Sequence, residues 1–424
     1  MSQTQSATWF NMVGKKKGYS LIALFIIVQI ILLRHSFGFD DENLTSLKNP
    51  KEKVAQPPAS TSNIELVKQS PIIETEFVET DPKYSKFVFE NRRIPQSMKS
   101  GETVLVISSV VNEEAYGKDR TFDDFFGSII EQEFPKNSMS LAFLFGTADE
   151  YLKAQTYFKK YFKPLNTISD HDKSQATVLQ KFVRRVTLIN APFIDDDFSV
   201  DRADRHLDNF QRLRRRTIAR SRNFVLFNSL QDERYTLFID SDIVKFESKE
   251  MLKIFIESKK DIIVPRVQKG GDLDYDKNSW VGERTKPNAE ELAILDKNDW
   301  DHFTYVPRDV DANMKHLFQL YNEGRENEYK KQGKDKNSAE SDQKIKLDPA
   351  YSVQIDSVGG AVLFSRSLIY RQGIAFPPTY IIGTTWDRLE GYDGIETEGL
   401  CYLAKPLGYK CWAMPNLVAQ HDTG

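Results

Sequence analysis

The stretch Tyr235–Phe246, "YTLFIDSDIVKF", closes an apolar run with two aspartates one residue apart. A strand that stops at Asp240-Ser241-Asp242 delivers two carboxylates to one edge of a sheet. Left alone, the pair repels and costs stability. Beside a cation that already carries phosphate oxygens, the same pair supplies hard oxygen donors of the kind Mg²⁺ and Mn²⁺ accept. On this reading Asp242 binds the metal directly, and Asp240 binds a ribose or reaches the metal through water. An aspartate-rich turn after a strand, which needs no ligand, explains the same residues.

Immediately upstream, "RLRRRTIARSRNFVLFNSL" has Leu, Ile, Phe and Val at helical spacing and six arginines in its first three turns. Such a run is ordinarily a solvated basic face. Here a short turn joins it to the aspartate strand, which places Arg220 and Arg222 within range of a diphosphate. A P-loop motif, G-x-x-x-x-G-K-[ST], is absent from the 424 residues, so another device must hold any phosphate. Farther on, Asp356 precedes Gly359-Gly360, where backbone without Cβ atoms can approach a sugar or simply turn. Glu396 and Glu398, in "IETEGLCYLAKPLGY", fall at a helix start and point to different sides, so at most one faces an acceptor. A base is needed if a hydroxyl is to attack.

The elements that must position these groups alternate. "TVLVISSVV" is a continuous apolar strand, "FDDFFGSIIEQEF" a helix, "MSLAFLFG" a second strand, residues 151–173 a lysine-rich helical region, and "RRVTLINAPF" a third strand. Alternation predicts an α/β, Rossmann-type, mostly parallel sheet with flanking helices over residues 101–424, its ligand site beyond the C-terminal strand ends. Before it, Lys15, Lys16 and Lys17 precede "GYSLIALFIIVQIILL". That order predicts a cytoplasmic tail (1–18), a signal anchor (19–34) and a stem (35–100) rich in charge, Ser, Thr and Pro. Under this topology Cys401 and Cys411 face an oxidising lumen, either paired or as two buried thiols. The net charge of −3 gives no reason to expect a nucleic-acid partner.

The stretches "RRRTIARSRNF", "FIDSDIV", "DIIVPRV", "YDKNSW", "IDSVGGAVLFSR", "AFP", "ETEGL" and "PNLVAQH" resemble, in this order, the fungal mannan-polymerase family, Golgi α-1,6-mannosyltransferases of glycosyltransferase family 62. The resemblance spans about residues 101–421. It implies a GT-A-like fold, a type II Golgi membrane protein with a lumenal domain, GDP-mannose as donor, and a divalent cation, usually Mn²⁺. It further implies that Asp240, Asp242 and His421 are the metal-binding residues, and that Asp240, Arg220 and Arg222 serve the nucleotide. Asp356, Glu396 and Glu398 fall in its acidic motifs. The implied function is metal-dependent, retaining transfer of mannose to an α-1,6-linked mannan backbone on N-glycans, in a complex with other subunits. The alternative is a non-catalytic structural or regulatory subunit of that complex.

Two segments depart from the family pattern. A lysine-rich stretch between Tyr321 and Asp348 reads as a surface loop. An insert between Pro377 and Glu396 carries Trp386, Tyr392 and Asp393, residue types that stack on and hydrogen-bond sugars.

Overall fold

A computed structural model of the protein describes residues 72–94, 101–133, 139–194, 208–282, 289–297, 314–332, 347–379 and 394–423. All lie in one compact unit, Gln69–Gly424. The chain runs β1 (Ile72–Thr80), β2 (Lys83–Asn91), β3 (Val104–Val110), α1 (Phe122–Ile130), β4 (Met139–Phe145), α2 (Ala148–Tyr161), α3 (Lys173–Phe182) and β5 (Val183–Asn190). It continues through α4 (Asp208–Ser229), β6 (Tyr235–Ile239), β7 (Ile243–Phe246), α5 (Met251–Glu257), β8 (Ile262–Lys269), β9 (Trp280–Gly282) and α6 (Ala289–Asp296). The remaining elements are β10 (Met314–His316), α7 (Leu317–Lys331), β11 (Val353–Ile355), β12 (Val362–Arg366), α8 (Leu368–Arg371), α9 (Thr397–Ala404) and β13 (Cys411–His421).

The continuous apolar strands form the centre. β5, β4, β3 and β6 lie side by side and parallel. Their side chains alternate between two buried faces, as period two requires. Val104 and Val106 join a layer with Phe122, Phe125, Phe143 and Phe158, under α1 and α2. Leu105 and Ile107 join the opposite layer with Val225, Leu226 and Phe238, under α4. Each buried Phe or Leu contributes roughly 1.5–3 kcal/mol through apolar area removed from water.

Outside this centre the sheet is mixed, which corrects the expectation of a mostly parallel one. The order is β1-β2-β5-β4-β3-β6-β12-β8-β13-β11, and β12 runs antiparallel to both β6 and β8. β13 lies parallel to β8, and its far half pairs antiparallel with β7. Helix-then-strand alternation reports the crossovers of the first half; it carries no signal for a returning strand such as β12.

The expected boundary at residue 101 also falls too late. β1 and β2 occupy part of the segment read as stem, and β2 pairs antiparallel with β5. Phe87 and Phe89 are buried at alternate positions of "KYSKFVFEN", a strand period hidden among charges. Asn91 completes the join: its Nδ2 donates to the carbonyls of Gln180 at 2.8 Å and Val183 at 3.1 Å. The lysine-rich stretch after Tyr321 is likewise helical at its start, since α7 runs to Lys331. Residues 19–34 and Trp386, Tyr392 and Asp393 lie outside the described residues, and among the described residues no helix is long and apolar enough to cross a membrane.

Candidate functional site

β6 ends where its last neighbour contact is made. The Asp240 N–H donates to the Ala361 carbonyl at the start of β12, at 2.9 Å, and the chain then turns through Ser241 and Asp242 into β7. The Ser241 hydroxyl donates to the Ala115 carbonyl at 2.6 Å, and the Asp422 N–H to the Asp242 carbonyl at 2.8 Å. The turn is therefore held from three sides. It floors a cleft of about 460 Å³ at the C-terminal ends of β3 and β6, the edge expected for an α/β ligand site.

Asp242 and His421 meet there, with Oδ2 and Nε2 3.0 Å apart. The other ring nitrogen, Nδ1, lies 2.8 Å from the Asp422 carbonyl, and Tyr275 packs on the imidazole with ring centroids 4.4 Å apart. Burial pushes the His421 pKa down, but the hydrogen-bonded Asp242 carboxylate and the Asp422 carbonyl outweigh it and leave it above the ordinary value. Asp240, adjacent, is pushed up to about 7 by burial and by Asp242, Glu396 and Asp276, against the pull of Arg222.

Arg222 is the buried cation of the cleft. One terminal nitrogen donates to Asp240 Oδ1 and to the Gly360 carbonyl, each at 3.0 Å, and its Nε lies 3.3 Å from Glu396 Oε1. The guanidinium lies against the edge-to-face pair of Phe238 and Phe376, at 5.8 and 5.7 Å from their ring centroids. Burial, helped by the Asp276 charge, pushes the Glu396 carboxyl up, although Arg222, Arg215 and Arg214 oppose it, so the group sits above its usual range. Its backbone has φ 64°, a left-handed conformation held by the Glu396 N–H to the Pro377 carbonyl at 2.8 Å. A strained, buried carboxylate on the cleft wall is suited to proton transfer.

The structure thus gathers Asp240, Asp242, His421, Arg222 and Glu396 into one cleft. It does not gather the rest. Arg220 stands two residues before Arg222, about 200° around the helix, and does not line the cleft, whereas Arg214, Thr217, Ile218, Ser221 and Arg222 form its helical wall. Glu398 is buried away from the cleft and pairs with Arg215 at 3.1 Å. Asp356 accepts the Gly282 N–H at 3.0 Å and ties β9 to the end of β11. The two glycines also have a different purpose from the expected approach to sugar. A Cβ on Gly359 would lie 1.9 Å from the Asp276 carboxylate, and one on Gly360 2.5 Å from the Arg222 guanidinium. They make room for side chains of this chain itself.

Two residues were missed by sequence reasoning. Asp276 is half-buried beside the Gly359-Gly360 turn, its carboxyl raised by desolvation against the backbone N–H groups of Ala361, Asn278 and Gly360 and the Arg222 charge. Arg214 lies on the same helix face as Arg222. The signals were present, in "YDKNSW" and in the arginine run, but neither states which residue faces inward.

Asp242 and His421 fit a divalent cation. Carboxylate and imidazole suit Mn²⁺, and the Asp422 carbonyl fixes the ring so that Nε2 faces Asp242. Among the described residues no group of three His, Cys, Asp or Glu side chains forms a cage. A cation there would take its remaining ligands from water or from a diphosphate.

Cys401 on α9 and Cys411 at the start of β13 form a disulfide. It ties the helix that follows Glu396 to the strand that ends in His421.

A family model described as Anp1 matches residues 88–380 of the chain. The chain belongs to the Anp1 family. The match covers α4, β6 and β12, hence most of the cleft, but stops before Glu396 and His421. Curated relatives include the mannan polymerase complex subunit mnn9 of Schizosaccharomyces pombe, 24% identical over 79% of this chain and 85% of the relative. The mannan polymerase II complex anp1 subunit of the same yeast is 24% identical over 70% of this chain and 60% of its own length. The mannan polymerase I complex VAN1 subunit of Saccharomyces cerevisiae is 24% identical over 52% of this chain and 35% of its own. Among solved structures, S. aureus TarS residues 1–349 overlap 76% of this Anp1-family chain and 60% of TarS at 12% identity, with a TM-score of 0.33, too loose an overlap to bear on the fold.

Proposed function

We propose that this Anp1-family chain is a GDP-mannose-dependent mannosyltransferase of GT-A-like fold that extends α-1,6-linked mannan on N-glycans. In this reading it is a type II Golgi membrane protein and one subunit of a mannan polymerase complex. The observation that carries the proposal is the convergence of Asp242 and His421, beside Asp240, with Arg214 and Glu396 on the walls of a single cleft. Yeast relatives named as mannan polymerase subunits support the substrate class. Pairing of both cysteines of the chain supports an oxidising compartment.

A divalent cation held by Asp242 and His421 would stabilise negative charge on the departing diphosphate. Arg214, on the cleft wall, adds positive charge to the same region. Arg222 holds Asp240 and Glu396 in place, since both of their carboxylates already contact it. Transfer breaks the bond between the mannose C1 and the diphosphate oxygen and forms one to the acceptor oxygen. The acceptor proton passes to Glu396 or to the departing phosphate. Since donor and product are both α-linked, the anomeric configuration is retained.

The direct test is transfer from GDP-mannose to an α-1,6-mannobiose acceptor by the full-length protein with Mn²⁺, alone and with candidate partner subunits, followed by linkage analysis. A second reading, the non-catalytic subunit, is favoured by one feature: the Arg222 charge is already paired with Asp240 and Glu396, as in a structural ion network. Full transfer by a complex carrying Asp242→Ala in this chain would establish that second reading and end the first.

A further inference from the structure

At the opposite end of the sheet from the aspartates, a second cavity of about 310 Å³ is lined by Arg234, Arg366 and Arg371 with Ser367. The register fixes its separation from the cleft. Arg366 of β12 stands opposite Tyr235, the first residue of β6, whereas Val362 stands opposite Ile239, next to Asp240. The two sites are thus roughly 15 Å apart along one strand pair.

Charge in this cavity is left over after internal pairing. Its carboxylates, Asp232 and Glu233, are already held by arginines of β5: Arg184 contacts Asp232 at 3.0 Å and Arg185 contacts Glu233 at 2.7 Å. Arg366 pairs with Asp261 at 3.1 Å, and Arg234 comes only within 3.9 Å of Glu102. Arg371 makes no ion pair among the described residues; one of its terminal nitrogens donates to the Gln231 and Glu233 carbonyls, which orients the guanidinium without neutralising it. The Ser367 hydroxyl is a separate sign. Ser367 is 1% exposed, its N–H donates to the Arg234 carbonyl at 2.8 Å, and its Oγ has no partner among the described residues. A buried hydroxyl without a partner costs about 1–3 kcal/mol, and Ser367 is among the residues around a cavity rimmed by guanidinium groups.

We propose that Arg234, Arg366, Arg371 and the Ser367 hydroxyl form a binding site for a phosphate group, distinct from the cleft at the aspartates. Guanidinium forks match tetrahedral phosphate oxygens in pairs, and a hydroxyl donor satisfies a further oxygen. The phosphate belongs either to a soluble monoester or to a phospholipid headgroup. The chemistry is the same for both.

The test titrates the full-length protein in detergent with inorganic phosphate at constant ionic strength, with chloride and acetate as controls, following the thermal unfolding midpoint. Wild type should be stabilised saturably by phosphate and not by acetate. Arg371→Gln and, separately, Ser367→Ala should weaken the apparent affinity, the arginine variant by roughly tenfold as one charge-assisted hydrogen bond is lost. Asp242→Ala, in the other cleft, should titrate like wild type. Vesicles of phosphatidylcholine with and without phosphatidic acid separate the two sources: retention that requires phosphatidic acid and Arg371 identifies the headgroup, and equal retention of wild type and Arg371→Gln identifies a soluble phosphate. The site is refuted if both variants titrate as wild type does, or if acetate stabilises as well as phosphate. Should Arg371→Gln not fold, Ser367→Ala decides alone.

Discussion

His421 faces two acceptors at once. The Asp422 carbonyl requires an N–H at Nδ1, and the Asp242 carboxylate requires one at Nε2, so in the absence of a metal the ring must be an imidazolium. Asp240 next to it is held protonated up to about 7. Both shifts have the same sign: the folded protein binds these protons more tightly than the unfolded chain. Their contribution to stability is therefore complete below the ordinary values, about 4 for Asp and 6.5 for His, and is lost as pH rises through the folded values. Metal-free protein should lose resistance to urea as pH rises from about 4 to about 7, the interval between the ordinary and folded values of Asp240, with a further loss above about 6.5 from His421, and Asp240→Asn should flatten the lower part of that slope. Cation binding must expel these protons. Calorimetry with Mn²⁺ in buffers of different ionisation enthalpy should accordingly register proton release near neutral pH, and heats independent of buffer would contradict the assignment of Asp242 and His421 as ligands. Asp242→Ala should abolish the strengthening of GDP binding by Mn²⁺, a loss of about 2–4 kcal/mol, while the protein still folds cooperatively.

At the scale of the element, α9 begins with two glutamates that have parted company. Glu396, at the cap, reaches Arg222 and the cleft; Glu398, two residues on in the first turn, reaches Arg215. Glu396→Gln should lower turnover with GDP affinity nearly unchanged if, as proposed, its carboxylate takes the acceptor proton and does not touch the donor. Glu398→Gln should instead destabilise the fold, by about 3 kcal/mol for a buried pair left half-charged, with turnover per folded molecule preserved. Chemical denaturation beside steady-state transfer separates the two effects. The same helix shows what was legible beforehand. Its start was readable from "ETEGL", as β3, β4, β5 and β6 were from unbroken apolar runs. What each side chain meets across the fold was not readable, since Arg215 and Arg222 come from α4, nearly the whole second half of the chain away. Asp356 misled for a similar reason: an acidic residue before two glycines looks like a site until β9 is seen to occupy it. Gly359 and Gly360 were correctly singled out as places without room for a Cβ, but the occupants are Asp276 and Arg222.

At the scale of the whole molecule, the hairpin β1–β2 marks where an independent domain must begin. β2 covers the edge of β5, and Phe89 is fully buried against Phe158 and Phe162. Removing the hairpin uncovers a long strand edge and apolar core together. A truncation starting at residue 101 should be insoluble or molten, and one starting before Ile72 should unfold cooperatively; circular dichroism melts of the two products decide the point. A charge-rich segment with Pro and Ser upstream resembles a linker throughout, because the two buried phenylalanines of β2 are flanked by lysines, Ser85 and Glu90. β13 has a consequence of another kind. It follows every other described strand in the chain, yet it lies inside the sheet, between β8 and β11, with β7 along its far half. Until it arrives, β8 waits with an open edge, Asp242 faces an empty place, and the Asp242–His421 pair does not exist. If Asp242 and His421 hold the proposed cation, its binding reads out completed synthesis and closure: a nascent or misassembled chain can carry the whole arginine helix and both aspartates, yet be blind to Mn²⁺.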